Sequence, residues 1–263
     1  MEIGVSTASL FKRKHNEDAL ITLNELDARV CEIFLGTYSE YTLKFGQLLK
    51  ERLGNLKVHS IHTLNTHFEP QIFGSNDRAL IDAYEIYENC LKVGKLLGAK
   101  AYTMHGIARF KKGALYNNYK KIAENFEMAS NVAKKYDVKL AIENVEWAFY
   151  NHVGFYKNVS QYFKGLYTCL DVKQARVSGD SYKDYINEMG ESIITVHLSD
   201  VNDSGHICLP GMGNFDFKDL FYRLKDVNFN GDMLIEVYTD DYKEISEIKD
   251  SLDYLRELKY KIF

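Results

Sequence analysis

Eight short apolar runs alternate with longer amphipathic segments along the chain, and this alternation constrains the fold more than any other feature of the sequence. Several runs consist almost entirely of apolar and β-branched residues, as expected for parallel strands that are covered on both faces. The segments between them repeat apolar residues at helical spacing, as at Ala83, Tyr87 and Cys90. The runs lie at residues 2–7, 30–36, 57–63, 101–106, 138–144, 166–171, 193–200 and 232–238.

A strand followed by a helix, repeated eight times, predicts an α/β protein built as a single (β/α)8 TIM barrel. A doubly wound open sheet would give a similar pattern and stays open as the alternative. Such a sheet usually carries a glycine-rich phosphate-binding turn after its first strand, whereas the first strand here continues into "STASLFKRKH". The chain has only two prolines and no linker rich in Pro, Gly or Ser, so we expect residues 1–263 to form one domain.

The charge of the chain limits its partners. At a formal net charge of −4, the protein has no global positive field that would attract nucleic acid or an anionic membrane surface. The loop after the fourth run carries a short basic run, "ARFKKG" at residues 108–113, and no run of about 18 apolar residues could span a membrane. We therefore expect neither nucleic acid nor a membrane as a partner, while oligomerisation stays open.

The cysteines and the first residues predict a cytoplasmic location. The four cysteines are scattered and form no CxxC pair, which is typical of reduced thiols in a cytosolic protein. The first 20 residues contain too short an apolar run for a signal peptide.

Ionisable side chains stand at or near the ends of six successive runs. In a TIM barrel, the C-terminal ends of the strands and the loops after them form the active site. A single such residue is commonly a hydrogen-bonded core residue or a helix cap, but the same coincidence on six successive strands indicates a shared site. The residues are His59 and His62 on the third run, His105 on the fourth, Glu143 on the fifth, Asp171 on the sixth, His197 on the seventh and Glu236 on the eighth.

Closing the barrel would bring three carboxylates together, those of Glu143, Asp171 and Glu236. Burying them side by side costs several kcal/mol each unless their charge is neutralised, and one divalent cation can do this. With His197 they form a set of oxygen and nitrogen ligands that suits Mn²⁺, Zn²⁺, Co²⁺ or Mg²⁺. The sequence therefore predicts one divalent metal ion without choosing among these four.

Four further residues are candidates for additional metal or substrate contacts, namely His62, His105, Gln174 and His206. If these histidines are also ligands, they would favour Zn²⁺ over the other candidate ions, or the binding of more than one metal ion.

Other side chains near these strand ends are candidates for substrate binding. Lys173 and Arg176 follow Asp171 and offer cations for hydroxyl or phosphate groups, although solvated positions at a helix start would explain them equally well. Trp147, in the loop after the fifth run, could form a wall beside a sugar ring or simply cover the end of the barrel. His59 lies below the expected rim of the barrel and is interpreted as a hydrogen-bonded core residue.

With these residues in place, the chain resembles the xylose isomerase-like TIM-barrel superfamily. This group comprises sugar isomerases, ketose 3-epimerases and sugar phosphate isomerase/epimerase-like proteins, and it also includes endonuclease IV. The resemblance covers essentially the whole chain and implies that two glutamates act as acid and base on opposite faces of a bound sugar. The metal ligands that it implies are Glu143, Asp171, His197 and Glu236, the first and last being those glutamates. The motifs that carry it are "LAIENV", "CLDVKQA", "VHLSD", "LPGMGNFDF" and "LIEVY".

The endonuclease IV-like members hold three zinc ions and add histidines from the third and fourth strands, positions that His62 and His105 match. Where those enzymes have a histidine three residues after the aspartate of the sixth strand, this chain has Gln174. The loop after the seventh strand offers Asp203 and His206, at a spacing that differs from the Asp-x-His pair of the zinc enzymes.

Isomerisation or epimerisation beside a carbonyl needs a base, an electrophile and an acid. A metal ion together with Glu143 and Glu236 meets these needs. We therefore predict an enzyme, a divalent-metal-dependent sugar or sugar-phosphate isomerase/epimerase that transfers protons through an enediolate. The alternatives are an endonuclease IV-like zinc phosphodiesterase acting on abasic DNA, a dehydratase or aldolase on the same metal site, and a non-catalytic sugar or metal binder.

Overall fold

Within the described residues, eight parallel strands close into a barrel, which confirms the predicted (β/α)8 fold and excludes the open sheet. The computed structural model describes residues 1–108 and 118–263, so the basic run 108–113 lies outside the described ranges except for its first residue. The barrel strands are β1 (Ile3–Ser6), β2 (Val30–Leu35), β3 (Lys57–Thr63), β4 (Ala101–Met104), β5 (Lys139–Glu143), β6 (Tyr167–Asp171), β7 (Ile193–Leu198) and β10 (Asp232–Ile235). A hairpin of β8 (Asp200–Val201) and β9 (Ile207–Cys208) follows β7.

Helices occupy the connections between the barrel strands. They are α1 (Asn16–Glu25), α2 (Leu43–Arg52), α3 (Glu69–Ile72), α4 (Asp77–Leu97), α5 (Tyr119–Lys134), α6 (Phe155–Ser160), α7 (Val172–Ser178), α8 (Tyr182–Met189), α9 (Phe217–Asp226) and α10 (Glu247–Ile262). Short 3-10 helices lie at Thr7–Leu10, Tyr38–Glu40, Asn65–His67 and Gly190–Ser192. Among the helices of the described ranges, none is both long and apolar enough to cross a membrane.

Helix α4 shows how the sequence sets the bounds of these elements. The side-chain oxygen of Asn76 accepts hydrogen bonds from the N–H groups of Arg78 and Ala79, which caps the first turn. Gly98 ends the helix in the left-handed conformation, at φ 78°, which glycine adopts without a Cβ clash. The predicted apolar stripe that includes Tyr87 is buried against the barrel.

The order of the strands brings the predicted site together. Around the barrel the strands pair in the order β1, β10, β7, β6, β5, β4, β3, β2, so β5, β6, β7 and β10 are consecutive neighbours. The register sets Asp171 of β6 beside His197 of β7, and His197 beside Leu234 of β10. The polar ends of these four strands therefore lie side by side at the C-terminal end of the barrel.

The N-terminal end of the barrel holds a separate polar cluster around His59. Nδ1 of His59 lies 3.0 Å from Oδ2 of Asp232, and Nε2 lies 2.8 Å from Oγ1 of Thr195. Asp232 also accepts a hydrogen bond of 2.7 Å from the N–H of Glu2. His59 is therefore a hydrogen-bonded core residue that ties β3 to β7 and β10, as the sequence predicted.

Asp200 organises the loop after β7 that contains "LPGMGNFDF". Its Oδ2 accepts hydrogen bonds from the N–H groups of Gly211 and Gly213, at 2.9 and 3.0 Å, and its Oδ1 accepts one of 2.8 Å from Phe215. Gly213 has no room for a side chain, because a Cβ there would lie 2.5 Å from Oδ1 of Asp200. One carboxylate thus fixes the path of the motif.

Candidate metal centre and active site

The four predicted metal ligands lie together at the C-terminal end of the barrel. One ligand atom from each of them lies within 4.8 Å of the other three. The most exposed is Glu236, whose side chain is 13% exposed, and the other three are buried. This four-residue cluster consists of Glu143, Asp171, His197 and Glu236.

His197 contacts two of the carboxylates directly. Its Nδ1 lies 3.0 Å from Oε1 of Glu143 and 3.3 Å from Oε2 of Glu236. Its other ring nitrogen, Nε2, lies 3.1 Å from Oε1 of Glu32 in the barrel interior. Nδ1 is therefore the atom of His197 that is suited to bind a metal ion within the cluster.

Asp171 is fixed on both sides by its neighbours. Its Oδ1 caps α7 by accepting a hydrogen bond of 2.8 Å from the N–H of Gln174. The side chain of Asn144 donates to the carbonyl oxygen of Asp171 and accepts from its N–H, at 2.9 and 2.8 Å. Oδ2 of Asp171 lies 3.9 Å from Nζ of Lys173. The helix cap and the Asn144 bridge hold the carboxylate at the edge of the cluster.

The electrostatics of the cluster fit a divalent cation. Burial raises the pKa of Asp171 to about 7, although Lys173 opposes that shift. Burial would also raise the pKa of Glu143, but His197 lowers it well below its usual range. Oε2 of Glu143 and Oε2 of Glu236 are buried and accept no hydrogen bond of regular geometry from the described residues. Two such oxygens within a set of oxygen and nitrogen donors are suited to bind a divalent metal ion.

Two of the further candidate residues, His62 and His105, lie beside Glu143. Nε2 of His105 is 3.0 Å from Oε2 of Glu143, and Nε2 of His62 is 3.8 Å from the same atom. Nδ1 of His62 lies 3.0 Å from the carbonyl oxygen of Thr103, to which it can donate a hydrogen bond. His62, His105 and Glu143 form a second group whose ligand atoms lie within 4.8 Å of one another.

Glu69, on α3, fixes the backbone that presents His105. Its Oε2 accepts hydrogen bonds from the N–H groups of His105 and Gly106, both at 2.9 Å, and its Oε1 accepts one of 2.9 Å from the hydroxyl of Tyr102. Sequence reasoning missed this residue because Glu69 stands 36 positions before His105 and lies in a four-residue helix.

A cavity of about 430 Å³ borders the cluster, and both Glu143 and Glu236 line it. Trp147 forms part of its wall, and the indole ring lies 4.8 Å from the ring of His105. Apolar side chains also contribute to the walls, among them Phe11, Phe34 and Leu64.

Lys173 is the only lysine or arginine among the described residues that line this cavity. Its side chain is 4% exposed. Nζ lies 4.3 Å from the centre of the Tyr238 ring, a cation–π distance. The predicted substrate-binding lysine thus faces the same cavity as the two glutamates.

Three other residues that the sequence indicated as candidate metal or substrate contacts are less directly placed at this site. Gln174 borders the cavity, but its Oε1 accepts a hydrogen bond of 3.2 Å from the N–H of Glu146. Arg176 is exposed on α7, and His206 is exposed between β8 and β9. Neither Arg176 nor His206 is among the described residues that line the cavity.

Glu32, in the middle of β2, is a fully buried carboxylate that sequence reasoning missed. Burial alone would raise its pKa, but His197 holds the pKa below its usual range. The sequence does give one indication of this buried carboxylate, because Glu32 is a single charged residue within the apolar run "VCEIFLG". A strand that is covered on both faces does not reveal from its sequence which side chains point into the barrel.

A sequence profile of the xylose isomerase-like TIM barrel family matches residues 20–258 of the chain. The match covers most of the sequence, and the closed (β/α)8 barrel agrees with it. The protein belongs to the xylose isomerase-like TIM barrel family. The resemblance inferred from the motifs at the strand ends is thereby confirmed.

Individual relatives are distant in sequence. SgbU of Escherichia coli (strain K12), provisionally described as an L-ribulose-5-phosphate 3-epimerase, is 25% identical over 182 residues. That match spans 65% of this chain and 64% of SgbU, which is less than two thirds of its length.

Two solved structures share the fold over nearly the full length of both chains. The IolI protein with a bound zinc atom has a TM-score of 0.79 and 18% identity, over 100% of this chain and 99% of that chain. D-psicose 3-epimerase from Clostridium cellulolyticum H10, solved with D-tagatose, has a TM-score of 0.76 and 15% identity, with the same shares of the two chains covered. At these identities the similarity establishes the fold alone.

Proposed function

We propose that the protein is a divalent-metal-dependent isomerase or epimerase that acts on a sugar or a sugar phosphate. The observation that carries the proposal is the cluster of three carboxylates and His197 beside a cavity that both glutamates line. The names of the relatives agree with this chemistry, since SgbU is provisionally an L-ribulose-5-phosphate 3-epimerase and one structural neighbour is a D-psicose 3-epimerase.

The metal ion would be held by the four-residue cluster of Glu143, Asp171, His197 and Glu236. When bound, a divalent cation would supply an electrophile that stabilises the negative charge developing on a sugar carbonyl oxygen. The IolI structure contains zinc, so Zn²⁺ is the first ion to test, followed by Mn²⁺, Co²⁺ and Mg²⁺.

Glu143 and Glu236 would carry out the proton transfers. One carboxylate removes the proton from the carbon beside the carbonyl, which leaves an enediolate, and the other returns a proton. Return to the same carbon from the opposite face gives an epimer, whereas return to the neighbouring carbon gives an isomer. Both side chains border the cavity, so both carboxylates face the space in which a substrate would bind.

Lys173 and Trp147 would hold the substrate beside the acid/base pair. Nζ of Lys173 has Asp171, at 3.9 Å, as its charged neighbour, and its hydrogens can donate to a substrate hydroxyl or phosphate oxygen. The ring of Trp147 offers an apolar surface for one face of a sugar.

An endonuclease IV-like phosphodiesterase is the second candidate, because His62, His105 and Glu143 form a second possible ligand group. The other ligands that a site for three zinc ions would need are matched less well in this chain. Gln174 replaces a histidine, His206 is exposed, and Asp203 accepts a hydrogen bond of 2.5 Å from the side chain of Asn214. The isomerase or epimerase therefore ranks first.

The proposal is tested by exchange of a substrate proton with solvent. The protein is purified without chelator, its metal content is measured, and it is incubated in D₂O with a panel of ketoses and ketose phosphates. We expect about one metal ion per chain and deuterium at the carbon beside the carbonyl of one substrate, with exchange lost after chelation and restored by metal. Cleavage of abasic-site DNA without exchange of any panel sugar would replace this proposal with the phosphodiesterase.

A further inference from the structure

The carboxylate of Glu32 lies inside the barrel beneath the four-residue cluster and has no part in the proposed proton transfers. It is fully buried and accepts hydrogen bonds from three hydroxyl groups. Oγ of Ser6 lies 3.1 Å from Oε1, while Oγ of Ser60 and Oγ1 of Thr103 lie 2.7 and 2.8 Å from Oε2. These donors belong to β1, β3 and β4, so three strands fix the orientation of one side chain.

The fixed carboxylate is directed at one atom of His197. Oε1 of Glu32 lies 3.1 Å from Nε2, although the direction of the N–H departs from that of a regular hydrogen bond. The ring of His197 therefore has a carboxylate on each side, because Nδ1 lies 3.0 Å from Oε1 of Glu143. Each of these carboxylates favours a proton on the ring nitrogen that faces it.

A metal ion can bind only a ring nitrogen that carries no proton, and in a neutral imidazole the other nitrogen then carries the N–H. Without a partner for Nε2, Glu143 and Glu236 would favour the form with a proton on Nδ1, which cannot bind a metal ion there. A carboxylate at Nε2 favours the opposite form. Partners of this kind fix the tautomer and the ring orientation of histidine ligands.

We propose that Glu32 is a positioning residue that holds His197 with its proton on Nε2 and its Nδ1 free to bind a metal ion. This inference rests on the proposed metal site, and it assigns to Glu32 a role that acts through His197 alone. A merely structural role would make Glu32 important for the barrel without any specific effect on metal binding.

The test compares Glu32→Gln with a matched variant at the other end of the barrel, Asp232→Asn. Both changes convert a carboxylate that faces a histidine ring into an amide, but Asp232 faces His59, far from the cluster in the fold. The affinities for Zn²⁺ and Co²⁺ are measured by competition with a chromophoric chelator. We expect Glu32→Gln to weaken binding by about tenfold to a hundredfold, the usual effect of losing an outer partner of a metal ligand. Asp232→Asn should retain the affinity of the unmodified protein.

A spectroscopic measurement tests the position of the proton directly. In the Zn²⁺-loaded protein with ¹⁵N-labelled histidine, long-range ¹H–¹⁵N correlations should show His197 with a proton on Nε2 and none on Nδ1. If Glu32→Gln does not fold, Glu32→Asp replaces it. That variant keeps the charge, but it is one methylene too short to contact Ser60, Thr103 and His197 together, and it should also weaken metal binding.

Three results would overturn the inference while leaving the proposed function intact. They are an unchanged metal affinity in the folded Glu32 variant, an equal loss in Asp232→Asn, and a proton on Nδ1 of zinc-bound His197. Failure of the unmodified protein to bind any of the metal ions is a different outcome, because it contradicts the proposed function and the inference with it.

Discussion

Lys173 and Asp171 form a buried pair of opposite charge at the end of β6, with Nζ of the lysine 3.9 Å from Oδ2 of the aspartate. A pair this far apart is not a direct hydrogen bond, and the ammonium group also contacts the face of Tyr238. The lysine therefore brings positive charge to the cavity and keeps hydrogens available for a ligand.

Replacing Lys173 with methionine should impair substrate binding and leave the metal site in place. Hydrogen bonds to charged groups contribute about 1.5–3 kcal/mol, so we expect kcat/KM to fall by about tenfold to a hundredfold. Arg176→Met is the matched control, because Arg176 is an exposed cation on the same helix, and its kcat/KM should stay within about twofold. Equal effects of the two changes would contradict a role for Lys173 in the cavity.

Replacing Asp171 with asparagine should separate metal binding from helix capping. Asparagine caps a helix about as well as aspartate, so the cap of α7 should persist and the metal-free protein should keep its Tm. The affinity for metal should nevertheless fall by more than about a hundredfold. The loss of a residue that only hydrogen-bonds to a metal ligand already lowers the affinity by up to that factor. Elemental analysis and metal titration check this, with the exposed Asp203→Asn as control. Full metal content in Asp171→Asn would remove Asp171 from the ligand set.

The residues at the strand ends were predictable because the barrel itself places them. Asp171 and His197 end neighbouring parallel strands, and any closed (β/α)8 barrel brings such positions to the same end. Glu32, Glu69 and Asp200 were not predictable in the same way. Their partners are backbone groups, hydroxyls or a ring nitrogen on other elements, and the spacing of residues along the sequence carries no information about those contacts.

Metal affinity should rise with pH through neutrality. In the metal-free protein burial raises the pKa of Asp171 to about 7, so its carboxyl is protonated at pH 6 and ionised at pH 8. The pKa of His197 is also raised, because the surrounding carboxylates and Cys169 outweigh the effect of burial. Metal binding must displace these protons, which weakens it by about tenfold per pH unit for each proton displaced. Dissociation constants for Co²⁺ at pH 6, 7 and 8 measure the slope, and a constant affinity would contradict protonation of the ligands.

Replacing Glu236 with glutamine tests whether this residue is an acid/base group or only a ligand. Glutamine keeps the size and one oxygen that can bind a metal ion, but it cannot carry the transferred proton. Exchange of the substrate proton in D₂O should therefore fall by about a hundredfold or more, while metal affinity should fall less than in Asp171→Asn. Exchange and metal content are measured on the same sample of each variant. A ligand-only role predicts that exchange falls in proportion to metal content in both variants, and a Glu236→Gln protein with its metal and full exchange activity would exclude Glu236 as acid or base.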